Sequence, residues 1–334
     1  MTQSNSSAAL PEIPVFACGR NYPLATLRAF EREAHALIDG ATQNVPATAL
    51  KIADGVSRRW LAKTANPHLS EIDTIASELG RPGAYFLSVN YEWGCTVAVR
   101  RTKEHPELVR VLDWRTPGLG RYVIVADVVG PAGRFVALTW PGYTGVLQAM
   151  SPGRFAAAIN QAPMLHRGGG LPPLDWLANK VAVWRNGASS PAHLLRHAFE
   201  RSATYRDARA ILIEEPVAAP VIFSLVGTRP DELTIIERTE QATRVHDGAR
   251  AAANAWSTPN WTGHARGEQN AERARQLARL PDGATVTFDW LHPPVLNSLT
   301  RLAAVFTPAS GRVLARGLAD REGVTADFDQ QFEQ

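Results

Sequence analysis

An α+β fold is predicted by two features of the sequence. Apolar residues recur at helical spacing through about the first 80 positions and again over 173–212. Between and after these stretches the chain breaks into short runs rich in Val, aromatic and small apolar residues, several of them closed by Gly or Pro. Strand runs flanked by helical runs give a layered α+β protein.

The elements follow in order. Leu24, Leu27, Phe30, Ala34, Leu37 and Ile38 form one helical stripe, with Gly40 as its stop. A second helix follows Pro46, carrying Leu50, Ile52, Ala53, Val56, Trp60 and Leu61. A third starts at Ser70 as N-cap, with Asp73 three residues on, carries Ile72, Ile75, Ala76 and Leu79, and ends at Gly80. The runs 84–90, 96–101, 108–113, 121–129, 134–140 and 155–160 then read as an antiparallel meander. Helix returns over 173–212, with Trp176, Leu177, Val181 and Trp184 on one stripe. Strand-like runs occupy 221–227, 233–238 and short stretches to about Asn254. Residues 268–280 read as a charged surface helix, Val305-Phe306 and Val313-Leu314 as a last hairpin, and 326–334 as a loose polar tail.

Composition excludes several classes. A formal net charge of +3, with basic residues scattered and paired at most as in Arg58-Arg59 and Arg100-Arg101, leaves no nucleic-acid footprint. Two cysteines, Cys18 and Cys95, make neither a disulfide framework nor a metal site, and the nine histidines show no obvious motif, which fits the Cys95 mechanism below, one that needs no metal or organic cofactor. Gly168-Gly169-Gly170 reads as a flexible loop without the strand and Lys-Ser that a phosphate loop needs. Met1–Pro14 has no basic and apolar leader pattern, and no apolar run is long enough for a transmembrane segment, so the expected location is cytoplasmic.

Chemistry concentrates at Asn90-Tyr91-Glu92-Trp93-Gly94-Cys95-Thr96 and Arg110-Val111-Leu112-Asp113-Trp114. Cys95 alone is a small buried hydrophobe. Gly94 before it tolerates an unusual backbone, so the thiol can attack the Gly94 carbonyl. Hydrolysis of the resulting thioester leaves Cys95 with a free α-amine of reference pKa near 8, a base on the same residue as the nucleophile. Arg110 and Asp113 lie 15 and 18 residues on, a separation that suits a hairpin. A guanidinium beside the sulfur favours thiolate, and a carboxylate would orient the amine. Positions three apart on a strand face opposite ways, so this pairing needs a bulge or an Asp113 at the strand end.

These residues resemble the acid ceramidase and N-acylethanolamine-hydrolysing acid amidase family of N-terminal-nucleophile cysteine hydrolases, in the choloylglycine hydrolase and penicillin V acylase group. Further similarity lies at Ile72–Gly80, Pro82-Gly83, Leu87–Glu92, Gly142-Tyr143-Thr144-Gly145, Ser151-Pro152, Ala218–Pro220, Val226-Gly227 and Glu237-Arg238. Thr96 is followed by Val97 where the family has Thr-Ser or Thr-Thr.

The resemblance implies an αββα sandwich with an N-terminal helical segment. It implies a cut between Gly94 and Cys95, giving an α-chain of residues 1–94 and a catalytic β-chain of 95–334 that remain associated. Cys95 matches the nucleophile, Arg110 and Asp113 its supporting pair, and Asn254 and Asn160 the oxyanion donors. Arg273 or Arg275 matches a family arginine. Trp176 and Trp184 would lie near the acyl entrance. The activity implied is hydrolysis of a small-molecule N-acyl amide through an acyl-enzyme. An acyltransferase and a non-enzymatic binding scaffold are the alternatives.

Overall fold

The computed structural model describes residues 9–89 and 93–334; Tyr91-Glu92 of the motif and the first eight residues lie outside them. The chain begins with β1 (Val15–Cys18) and five helices: α1 (Tyr22–Ala29), α2 (Glu31–Thr42), α3 (Ala47–Lys63), α4 (Leu69–Leu79) and α5 (Ala84–Ser88). Six strands follow: β2 (Trp93–Arg101), β3 (Pro106–Trp114), β4 (Ile124–Gly130), β5 (Gly133–Thr139), β6 (Gln148–Ser151) and β7 (Phe155–Gln161). Then come α6 (Pro172–Arg185), α7 (Pro191–Arg201), α8 (Tyr205–Glu214), β8 (Val221–Val226), β9 (Leu233–Arg238), β10 (Thr243–Asp247), β11 (Arg250–Ala252) and α9 (Asn270–Ala278). The last strands are β12 (Thr300–Thr307), β13 (Arg312–Ala319), β14 (Glu322–Gly323) and β15 (Phe328–Gln331).

Two sheets face each other. One runs β1-β4-β5-β6-β7-β8-β9-β10; the other runs β11-β2-β3-β12-β13-β14, with β15 also on β13. Contacts of β2 and β3 with β7 and β8 join the two inner faces, α7 and α8 cover the first sheet, and α9 covers the second at β2 and β11. This is the four-layered αββα arrangement. The main core fills the space between the sheets, from Cys95, Val97 and Leu112 to Ala156 and Ala158. A second core (Val109, Val111, Leu277, Phe288, Trp290) lies under α9. Every residue of β7, Phe155–Gln161, is buried, as expected of a central strand covered on both faces.

Several expectations are corrected. Residues 84–88 form α5, not a strand, because the Asp54 carboxylate accepts from the backbone N–H groups of Gly83 and Phe86 at 2.7 and 2.9 Å and caps the turn from another helix. Gly40 does not stop a helix. It lies inside α2, where an added Cβ would sit 3.1 Å from the Pro117 carbonyl oxygen. Helix α4 starts one residue before Ser70, at Leu69, and Asp73 pairs with Arg58 and Tyr85 instead of capping. The meander is divided between the two sheets, and β1 and β6, four residues each, complete the first. The tail is no loose segment: β15 pairs with β13 and buries Phe328 and Phe332. No helix among the described residues is long and apolar enough to cross a membrane.

Candidate active site

The site forms where β2 and β3 of one sheet face β6 and β7 of the other. In the β2–β3 ladder Cys95 lies opposite Leu112, Val97 opposite Arg110 and Gly94 opposite Asp113. Arg110 therefore shares the inner face with Cys95, while Asp113 points to the other face. The β2–β3 ladder is regular through this stretch, so the expected bulge is not there and the two charges stay on opposite faces of the sheet.

Arg110 is fully enclosed, 1% exposed, and spans the gap between the sheets. Its Nη2 donates to Cys95 Sγ at 3.0 Å, its Nη1 to Asn160 Oδ1 at 2.9 Å and its Nε to Gln148 Oε1 at 2.9 Å. These three acceptors are a thiol and two neutral amides. A buried cation held this way is costly, and such placements are a mark of functional sites.

Asp113 is held from α9 and β12. Arg273 Nη1 donates to its Oδ2 at 2.7 Å and Thr300 Oγ1 to its Oδ1 at 2.9 Å. Burial pushes the Asp113 carboxyl up, against the opposing pull of Arg273. Of the two candidate arginines, Arg273 is the one inside; Arg275 is exposed. The charged surface helix thus delivers a buried guanidinium to the site.

Asn254 links both faces. Its Oδ1 accepts the Cys95 backbone N–H at 2.7 Å, and Arg273 Nη2 donates to the same oxygen at 3.4 Å. Its Nδ2 donates to the Gln161 carbonyl at 2.7 Å. An amide NH₂ carries two hydrogens, so one partner leaves the second for another acceptor. Asn160 differs: its Nδ2 faces two carbonyls, Ala252 at 3.3 Å and Ala253 at 3.2 Å. Gly94 is not in a left-handed conformation. Its need for glycine is space: a Cβ there would lie 3.3 Å from Asp113 Cβ and 3.6 Å from Asn254 Oδ1.

Burial raises the Cys95 thiol to about 11, with Arg110 pulling down and Asp113 pushing up. The Arg110 guanidinium favours thiolate as expected, and desolvation by burial acts against it.

Beside this site lies a cavity of ≈ 500 Å³ whose walls include Trp60, Phe86, Met164, Trp176 and Trp184. Trp176 and Trp184 are 49% and 38% exposed, so their stripe is not core packing. The cavity meets the Cys95 site at Gln161, which lines it and whose Oε1 accepts the Trp93 N–H at 3.1 Å. Gln148, Gln161, Thr300 and Asn270 at the start of α9, whose Oδ1 accepts the Asn254 N–H at 2.9 Å, are not singled out by the sequence. Single polar residues on strands or at a helix start carry no spacing signal.

Two inner sheet faces with Cys95 at their junction and helices outside are the architecture of the N-terminal-nucleophile hydrolases. The C. elegans N-acylethanolamine-hydrolyzing acid amidase ortholog shares this fold, with a TM-score of 0.50 at 20% identity over 64% of this chain and 93% of that one. A conjugated bile acid hydrolase from Clostridium perfringens superposes less well, with a TM-score of 0.42 at 8% identity, covering 72% of this chain and 97% of that one. In sequence the chain is similar to acid ceramidase, 32% identical over 104 residues to that of Homo sapiens and 32% over 105 to that of Pan troglodytes. Each match takes in 31% of this chain and 25% of the relative. It thus spans about a quarter of the relatives' length. No family model matches the chain. The likeness to acid ceramidase is thus a local one in sequence, and the likeness to the N-acylethanolamine acid amidase ortholog is one of fold.

Proposed function

We propose that this protein is a self-processing cysteine amidohydrolase that cleaves an N-acyl amide. The observation that carries the reading is the Cys95 sulfur 3.0 Å from a buried guanidinium, with the nitrogen of the same residue held at 2.7 Å by Asn254. In the first step the sulfur attacks the Gly94 carbonyl carbon. The C–N bond to Cys95 breaks, its nitrogen takes up the proton and a thioester forms. Water then releases the Gly94 carboxylate and returns the thiol. Cys95 becomes the first residue of a β-chain, and its nitrogen, already held by Asn254, becomes the α-amine base.

Turnover on substrate repeats the chemistry. The α-amine takes the thiol proton, the sulfur attacks the amide carbonyl, and the remaining Asn254 hydrogen receives the oxyanion. The amine leaves with the proton, and water attacks the acyl-enzyme. The apolar cavity, of a size and lining common for small ligands, would take the acyl group. Residues 1–94 and 95–334 remain associated after the cut. β1 pairs with β4, Trp60 Nε1 donates to the Val183 carbonyl at 2.9 Å, and Glu71 pairs with the buried Arg196 at 2.6 Å.

Intact-mass measurement tests the processing: two fragments that co-elute on gel filtration, and one uncut chain for Cys95→Ala. A wild-type chain that stays whole under active conditions defeats it. A series of acyl amides of increasing chain length, assayed with and without an added amine acceptor, tests the substrate. Rising kcat/KM with length, by at most about 0.8 kcal/mol per methylene, supports acyl binding in the cavity. Capture of the acyl group by the amine in place of water would reassign the protein as an acyltransferase.

A further inference from the structure

We propose that His166, Asp175 and His264 form a binding site for a divalent transition-metal ion of the zinc class, at the rim of the cavity and apart from Cys95. One ligating atom from each of the three lies within 4.8 Å of the others.

The three residues come from three segments: the loop after β7, the first turns of α6 and the loop between β11 and α9. Met164 and His264 exchange both backbone hydrogen bonds, at 3.0 and 2.8 Å, which ties the two loops together. Asp175 is fully buried, and one of its oxygens, Oδ1, accepts the Gly168 N–H. Its other oxygen is thereby aimed at His264 Nε2, 2.9 Å away. Outer support of this kind, a ligand carboxylate oriented by a backbone donor, is what metal sites use to fix their ligands. Gly168 is bound into the arrangement by space: an added Cβ would lie 2.7 Å from the Leu174 carbonyl carbon and 2.9 Å from Asp175 N. The loop expected to be merely flexible is packed against the helix that carries the carboxylate.

Ligand chemistry selects the metal. Two imidazoles and a carboxylate suit zinc, with a fourth position left for water. A tetrahedral ion at zinc distances needs its ligand atoms about 3.4 Å apart. The His264–Asp175 pair is already that close, and the remaining closure falls to His166, which is exposed and stands edge-on to His264 with ring centroids 4.4 Å apart. Arg167, next to His166 in the chain, is engaged elsewhere: it donates to Glu240 at 2.6 Å and to Asn179 at 3.1 Å. A bound ion would clip α6 to both loops, at a point where Met164, Trp176 and Asn179 also line the cavity.

The test is calorimetric titration of the full chain with zinc chloride at pH 7.5, repeated with cobalt(II) to read coordination from its visible absorption. One ion per wild-type chain is expected, with a tetrahedral cobalt spectrum. His166→Ala, at an exposed side chain, should keep its circular dichroism spectrum and bind at least tenfold more weakly; His264→Ala should lose the cobalt bands. Cys95→Ala should bind as wild type does. No saturable binding, or equal binding by His166→Ala, overturns the site and leaves a His264–Asp175 ion pair only. Loss of binding in Cys95→Ala would move the metal to the thiol and also overturn it. None of these readouts depends on amidase activity.

Discussion

At the scale of single residues, the site is organised by which hydrogens are already committed. Arg110 uses three nitrogens on three acceptors at fixed angles, which a planar guanidinium does and an ammonium does not. Arg110→Lys is therefore expected to lower both processing and kcat by about tenfold or more, read by intact mass and steady-state assay. A wild-type rate would remove Arg110 from its assigned role. Asn254→Ala removes the donor with a hydrogen to spare and should lower kcat by roughly 10²–10³, with a smaller change in KM. Asn160, whose NH₂ faces two carbonyls, should act through Arg110 instead, so Asn160→Ala is expected to cost less than Asn254→Ala in the same assay.

At the scale of elements, α9 illustrates how a helix can look solvated and still serve the interior. Of its basic residues, Arg273 is 3% exposed and pairs with Asp113 on the face of the sheet turned away from the Cys95 side chain. Removing one partner of a buried pair strands the other charge, at a cost of about 3–5 kcal/mol. Arg273→Gln should therefore destabilise strongly in urea unfolding. Arg275→Gln, two positions along and exposed, should stay within about 0.5 kcal/mol of wild type. Equal effects would mean that α9 contributes only surface charge. The same element logic places α5, whose turn is capped by Asp54 from α3 rather than by any residue of its own.

Across the whole molecule, a buried polar cluster joins the helical N-terminal region to α7. Asn66 Nδ2 donates to His193 Nδ1 at 3.0 Å, which leaves Nε2–H to donate to Thr144 Oγ1 at 3.1 Å, so the assigned tautomer is neutral. Burial, with Arg196 adding repulsion, holds His193 down to about 3, and burial lowers His68 beside it further. In the unfolded chain these groups titrate near their ordinary value of about 6.5. Between those limits the unfolded state binds protons that the folded state refuses, so this stability is present above about pH 6.5 and is lost as pH falls toward 3. The expected outcome is a melting temperature that drops steadily across that window, and a shallower drop for His193→Gln. Parallel profiles for the two proteins would show that His193 does not carry the acid sensitivity.

The Cys95 segment and the Arg110–Asp113 spacing were legible in the sequence because strand alternation and a hairpin turn act over short range; Asn254, 159 residues from Cys95, was named only through the family resemblance. The helical stripes and most strand runs were legible for the same reason: periodicity 2 and periodicity 3.6 are written locally. What only the tertiary structure decided is everything that depends on which faces meet. It placed Asp113 on the face opposite the Cys95 side chain, buried Arg273 and left Arg275 exposed, raised the Cys95 thiol by burial and turned 84–88 into a helix through a distant carboxylate. It also brought His166, Asp175 and His264 together from positions up to 98 apart, a separation at which spacing carries no signal and only the closing of the chain on itself sets the distance.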